Sequence, residues 1–170
     1  NDILAVNIMM QTYKEAAERL LKNVGNDVRR LSHKLIPPRF DNASLSELVC
    51  TYCQSMSAEN GTIVKPFVSR SFEKLNLPSR TALEVYRIVQ ESVSNAIKYG
   101  YSKMITVTLD ASNNQASLCI ANDISPEHPI TQGKMGIGKD TLKMRTEALK
   151  AVLTISEQDE EYKVEVRFPL

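Results

Sequence analysis

Apolar residues in the first 36 positions return every seventh residue. Ile3, Met10, Ala17, Val24 and Leu31 mark one seam, and Val6, Tyr13 and Leu20 mark a second. That period suits helices packed on helices, in a bundle or a dimer. Gly25-Asn26-Asp27 breaks the run, with Asn26 or Asp27 able to cap a new helix, so the segment is expected to fold as a helical hairpin. Pro37-Pro38 ends it, because proline lacks an amide donor and restricts the residue before it. We place a domain boundary there, separating residues 1–38 from 39–170.

After the prolines the period changes repeatedly. Ser44 with Glu47 three residues on is a capping box, and Leu45, Leu48, Val49 and Tyr52 follow as an apolar face, predicting a helix over 44–58. Residues 62–68 read as a strand, placed at a sheet edge because Pro66 cannot donate to a ladder. The strongest helical pattern runs over 79–99, with Ser79 or Thr81 as its cap and Gly100 as its stop. Alternation over 103–110 and 115–121, with Asn113-Asn114 between, predicts a hairpin. A loop rich in Pro, Gly and polar residues covers about 122–136. A helix over 138–149 and a hairpin of 151–157 with 161–168, turning at Asp159-Glu160, complete the chain. This order is not a series of β-α-β units. It predicts an α/β fold, a two-layer sandwich in which a mixed sheet is covered on one face by helices.

Composition narrows the function. The 170 residues carry 21 Lys+Arg and 20 Asp+Glu, a net charge of +1. A whole-chain basic footprint for nucleic acid is therefore excluded. No apolar run approaches the roughly 18 residues of a membrane span. The chain opens on Asn1 with no secretory pattern and reads as a piece of a longer protein. Cys50 and Cys53 form a C-x-x-C pair inside a helical pattern, without partners at zinc spacing, and read as thiols on a helix face in a reducing cytoplasm.

Two segments carry chemistry. Glu91, Ser94, Asn95 and Lys98 form a polar strip along the helix 79–99. A carboxylate and an amide oxygen suit Mg²⁺, and a lysine one turn later suits phosphate; a solvated helix face has the same spacing. GKMGIG at 133–138 precedes a helix, where glycines admit a close ligand and free amides face an anion, or where they form a flexible cap. It is not a P-loop, since no Gly-Lys-Ser/Thr ends it.

Together DVRRLSHKLIPP, ALEVYRIVQESVSNAIKYG and GIGKDTLKMRTEALKAVLTI resemble the cytoplasmic core of bacterial sensor histidine kinases, in the subgroup of nitrate/nitrite and membrane-fluidity sensors. The resemblance implies a dimerisation and phosphotransfer hairpin, followed by the ATP-binding domain shared with gyrase, Hsp90 and MutL. It implies ATP and Mg²⁺ as cofactors. Asn95 and Glu91 are the implied metal-site and catalytic residues, with Lys98 and Tyr99 near the nucleotide. Asn122 falls where the adenine-reading Asp is expected, with Asp123 beside it. Gly136, Ile137 and Gly138 match the glycine motif closing the ATP lid, with Gly133 also expected to bind the nucleotide. The implied reaction phosphorylates a histidine lying ahead of Asn1, then an aspartate on a response regulator. The implied assembly is a homodimer through the N-terminal helices, located in the cytoplasm, from a parent that is soluble or membrane-anchored. His33 matches a structural histidine, not the phosphoacceptor.

The departures sit in two places, just after the strand 115–121 and at the end of the helix 138–149. Ile124 and Pro126 stand where the family has glycines, Asn122 where it has Asp, and Lys150-Ala151 replace a Gly-Gly turn. A degenerate, ATP-independent module that dimerises and docks a regulator is the alternative these imply. A serine-directed kinase of the same fold is disfavoured by the N-terminal helical segment.

Overall fold

The heptad-patterned segment forms one helix, α1 (Asp2–Leu35), with no turn at Gly25–Asp27. The expected hairpin is therefore corrected to a single continuous helix. A glycine inside a helix costs only about 1 kcal/mol relative to alanine, which long flanking helical runs tolerate. A Cβ placed at Gly25 would meet nothing within 4 Å, so no close packing demands the glycine. Asn26 and Asp27 lie within the helix rather than capping a second one.

The structure, a computed structural model, describes residues 2–35, 43–99, 102–124, 136–158 and 160–170, with side chains for 9–25, 43–98, 102–124, 140–158 and 160–170. The chain divides into two compact units, Asn1–Pro38 and Arg39–Leu170. In the first, Met10, Tyr13, Leu20 and Val24 are exposed along α1, so among the described side chains the heptad seams are not covered within that unit. Among the described residues, no helix is long and apolar enough to cross a membrane.

The second unit begins with α2 (Leu45–Asn60), then β1 (Ile63–Val68), a short α3 (Arg70–Glu73) and the long α4 (Ser79–Tyr99). It continues with β2 (Met104–Ser112), β3 (Gln115–Asp123), α5 (Gly136–Ala148), β4 (Val152–Gln158) and β5 (Glu161–Pro169). The sheet order is β1-β2-β3-β5-β4, with β1 parallel to β2 and every other pair antiparallel. Pro66 does sit on an edge strand, where its missing amide costs no ladder bond on the open side.

Local sequence explains each boundary. The capping box at α2 is complete: Ser44 Oγ accepts from the Glu47 amide at 3.2 Å, and the Glu47 carboxylate accepts from the Ser44 amide at 2.7 Å. At α4 the expected serine or threonine cap is corrected. The Pro78 carbonyl accepts the first helical bond, from the Ala82 amide at 3.0 Å, and Ser79 already lies inside the helix. Gly100, the expected stop, lies outside the described residues. The β2–β3 turn uses Asn113 and Asn114, both left-handed with φ 50 and 64, the backbone a tight two-residue hairpin needs.

Alternation along the strands builds one core. Ile105, Val107 and Leu109 of β2, Leu118 and Ile120 of β3, and Val164, Val166 and Phe168 of β5 point to one face. Val85, Ile88, Val89 and Val93 of α4 join them there, as do Val49 and Cys53 of α2 and Leu142 of α5. Burying each such side chain contributes about 1.5–3 kcal/mol. The opposite sheet face carries Thr106, Thr108, Ser117, Lys163, Glu165 and Arg167 and is covered by no described helix of this unit, giving the expected two layers. Burial pushes the Cys53 thiol up to about 12, with Cys50 adding to the shift, and burial also raises Cys50 and Cys119. All three cysteines are free; Cys53 packs in the core as an apolar group, and Cys50 and Cys119 are half-buried.

Helix α5 ends where the sequence lacks glycine. Lys150 adopts φ 53, its amide donates to the Glu147 carbonyl, and the Ala151 amide donates to the Thr146 carbonyl, both at 2.9 Å. This is a Schellman closure with a lysine in the left-handed position. Lys150→Gly is expected to stabilise the domain by roughly 0.5–1 kcal/mol, read as a raised denaturation midpoint at constant slope.

Candidate functional site

α4 is long because its apolar stripe is wide and unbroken by glycine or proline, and this carries its polar strip past the edge of the buried face. Glu91 and Asn95 lie one turn apart, each half-buried. Asn95 Nδ2 donates to Glu91 Oε1 at 3.2 Å. That bond commits the amide nitrogen to the carboxylate, so Asn95 Oδ1 and Glu91 Oε2 remain as oxygen acceptors. Lys98, in the last turn, is exposed. Tyr99 ends the helix, and its side chain lies outside the described residues.

The strip is braced from behind. Tyr52 of α2 donates its hydroxyl to the Gln90 carbonyl at 3.2 Å and packs edge-on to Tyr86, ring centroids 6.0 Å apart. Burial chiefly, with Tyr86 next, holds the Tyr52 phenol well above its ordinary range, so it serves as a neutral donor. Arg87 donates to Gln90 Oε1 at 3.1 Å. Sequence reading took Tyr52 only as part of an apolar face and missed this bracing, which depends on the α2–α4 packing.

Asn122 is buried near the end of β3, on the helix-covered face, between Ile105 of β2 and Tyr162 of β5. Its Nδ2 donates to Ser102 Oγ at 2.8 Å and to the Asp123 carbonyl at 3.0 Å. Asp123, the next residue, faces the other side of the sheet. Its carboxylate accepts the amides of Lys103 at 3.3 Å and Met104 at 3.1 Å, at the start of β2. It ties the two strands together. Ser102 was not singled out from the sequence. Counting back from the Asn113-Asn114 turn places the residues just before β2 beside the end of β3, the one signal that would have found it.

The glycine motif is partly placed. Gly136, Ile137 and Gly138 form the first turn of α5 rather than a loop ahead of it, where amides lack intrahelical acceptors. The Ile137 side chain and all of Gly133 lie outside the described residues, as does Pro126. Ile124 is half-buried against the core, and its amide donates to the Glu160 carbonyl at 2.7 Å. α5 is tied to α4 by Arg145, whose guanidinium pairs with Glu84 at 2.8 Å, both side chains about a quarter exposed or less (25% and 21%). Among the described residues, no three His, Cys, Asp or Glu side chains converge as a metal cluster. The oxygen donors of Glu91 and Asn95 fit a hard cation that keeps water in its shell, as Mg²⁺ does.

No protein-family model matches the chain. The signal transduction histidine-protein kinase/phosphatase UhpB of Salmonella typhimurium is 27% identical over 139 residues, which cover 82% of this chain and 27% of that protein. The sensor histidine kinase MctS of Rhizobium johnstonii is 24% identical over 136 residues, covering 78% and 29%. The chain thus spans little more than a quarter of the length of these curated relatives. Among solved structures, the histidine kinase domain of the Erythrobacter litoralis EL346 blue-light activated histidine kinase aligns with a TM-score of 0.61 at 16% identity, covering 74% of this chain and 61% of that one. Full-length ShkA in complex with AMPPNP aligns at 0.57 with 14% identity, covering 91% and 36%. In sequence the chain is similar to bacterial sensor histidine kinases, and it shares its fold with solved histidine kinase domains.

Proposed function

We propose that this chain is the catalytic part of a two-component sensor histidine kinase that binds Mg-ATP. The γ-phosphoryl group would pass to a histidine outside the chain and then to an aspartate on a response regulator. The observation that carries the reading is the Glu91–Asn95 pair, hydrogen-bonded on α4 with an amide oxygen left to accept. Support comes from its sequence likeness to sensor histidine kinases and from the fold it shares with ShkA, solved in complex with AMPPNP. Asn95 and Glu91 would hold Mg²⁺, which when bound neutralises phosphate charge. Lys98 would meet phosphate as a point charge. Asn122 Oδ1 would accept from the adenine amino group. The first-turn amides of Gly136, Ile137 and Gly138 would face anionic oxygen. The exposed seams of α1 would be covered by a second copy of the chain.

These residues supply positioning and charge rather than covalent chemistry, which is what phosphoryl transfer requires of a protein. A second reading, a module that docks a regulator without ATP, is favoured by one observation. Ile124 places a β-branched side chain against the core beside the proposed base site. The test is incubation of the intact parent protein with γ-labelled ATP. The kinase reading expects acid-labile, base-stable label on the protein, passed on to a response regulator. Absence of label, with the regulator still captured, supports the second reading.

A further inference from the structure

An asparagine amide is ambiguous as a base reader. Turned one way it presents an oxygen and accepts from a 6-amino purine; turned the other it presents a nitrogen and donates to a 6-oxo purine. Here the surroundings decide. Asn122 Nδ2 meets Ser102 Oγ at 2.8 Å and the Asp123 carbonyl oxygen at 3.0 Å. The same carbonyl accepts the Ser102 hydroxyl proton at 2.8 Å. A carbonyl can only accept, and a hydroxyl has one proton to give. With that proton committed, Ser102 Oγ faces Asn122 as an acceptor. Both neighbours therefore require a donor at that end of the amide.

Reversing the amide would set Oδ1 against the Asp123 carbonyl and break the Ser102 arrangement, in a place where Asn122 and Ser102 are 3% and 5% exposed and water offers little relief. The brace itself is fixed, because the Asp123 carboxylate is held by the Lys103 and Met104 amides. Resting on the nucleotide-binding reading above, we propose that Ser102 is a positioning residue. It locks the Asn122 amide with Nδ2 toward Ser102 and the Asp123 carbonyl and Oδ1 at the other end, so that the site prefers 6-amino over 6-oxo purine nucleotides without a carboxylate.

The test compares Mg-ATP with Mg-ITP, which exchanges the 6-amino group for 6-oxo, on the full chain and its Ser102→Ala and Ser102→Thr variants. Amide hydrogen exchange of the Asn122 side chain is followed in the same samples without nucleotide. The unaltered chain is expected to favour ATP, and Ser102→Ala to reduce the ATP:ITP affinity ratio roughly tenfold. Ser102→Thr, which keeps the hydroxyl, restores the ratio. The Asn122 Nδ2 protons are expected to exchange slowly in the unaltered chain and in Ser102→Thr, and quickly in Ser102→Ala. Equal weakening of both nucleotides by Ser102→Ala, or an unchanged ratio, overturns the positioning role while the nucleotide-binding reading stands. Fast exchange in the unaltered chain overturns the lock itself. Binding of neither nucleotide by the unaltered chain overturns the nucleotide-binding reading and the base preference with it.

Discussion

Asn95→Ala is expected to weaken Mg-ATP binding by about 10- to 100-fold, the loss of one interaction with a charged group, while leaving the domain folded. Asn95 is half-buried, and its side chain donates to Glu91 one turn earlier. Truncation therefore leaves no cavity in the core. Alanine also has the higher helix propensity, by roughly half a kcal/mol, which offsets the lost hydrogen bond. Thermal unfolding should consequently shift by no more than a few degrees. Calorimetric titration and a thermal melt on the same preparation separate the two effects. Glu91→Gln sharpens the result: its amide oxygen can still accept from Asn95, but the negative charge is gone. A fall in Mg²⁺ dependence with the helix undisturbed would identify charge, rather than local packing, as the contribution of Glu91.

Leu118→Ala should have the largest effect on stability, about 3–4 kcal/mol. Leu118 is fully buried on β3, opposite Leu109 of β2 and Val166 of β5, in the middle of the sheet. Its neighbours on both sides are held by ladder hydrogen bonds and cannot close the gap, so the transfer loss and the cavity term add. Against a total of about 5–15 kcal/mol this is a large share, and the melting midpoint should fall by roughly 10 °C. Cys119→Ala, one residue on and facing the opposite side of the sheet, is the control and should cost under about 1 kcal/mol. Urea unfolding of both variants reads the difference. Similar losses at the two positions would contradict the assignment of faces.

Much of the second unit was legible because its signals are local. The α2 capping box, the alternation of β2 and β3 and the Asn-Asn turn each follow from residues within a few positions of one another. The edge placement of β1 followed from one proline. What was not legible depended on distant partners or on small balances. The break at Gly25–Asp27 looked real because Gly, Asn and Asp all favour turns, but the penalty is small beside a helix of 34 residues. At α4, Ser79 looked like a cap, yet the Pro78 carbonyl accepts the first bond and proline suits the approach to a helix. At the site, Glu91 and Asn95 could be paired from a spacing of four. Asp123 could not be separated from Asn122 until the strand register showed them facing opposite sides of the sheet. Ser102 could be found only by carrying the hairpin register back from the Asn113-Asn114 turn. Its partner is 20 positions away and is reached only through the β2–β3 hairpin.

The central claim is that α4, the end of β3 and the start of α5 form a working Mg-ATP site despite Ile124 and Asn122. Its most direct test is calorimetric titration of Mg-ATP into the 170-residue chain. The account predicts saturable one-to-one binding that weakens when Mg²⁺ is chelated. No heat and no thermal stabilisation at millimolar nucleotide would contradict it.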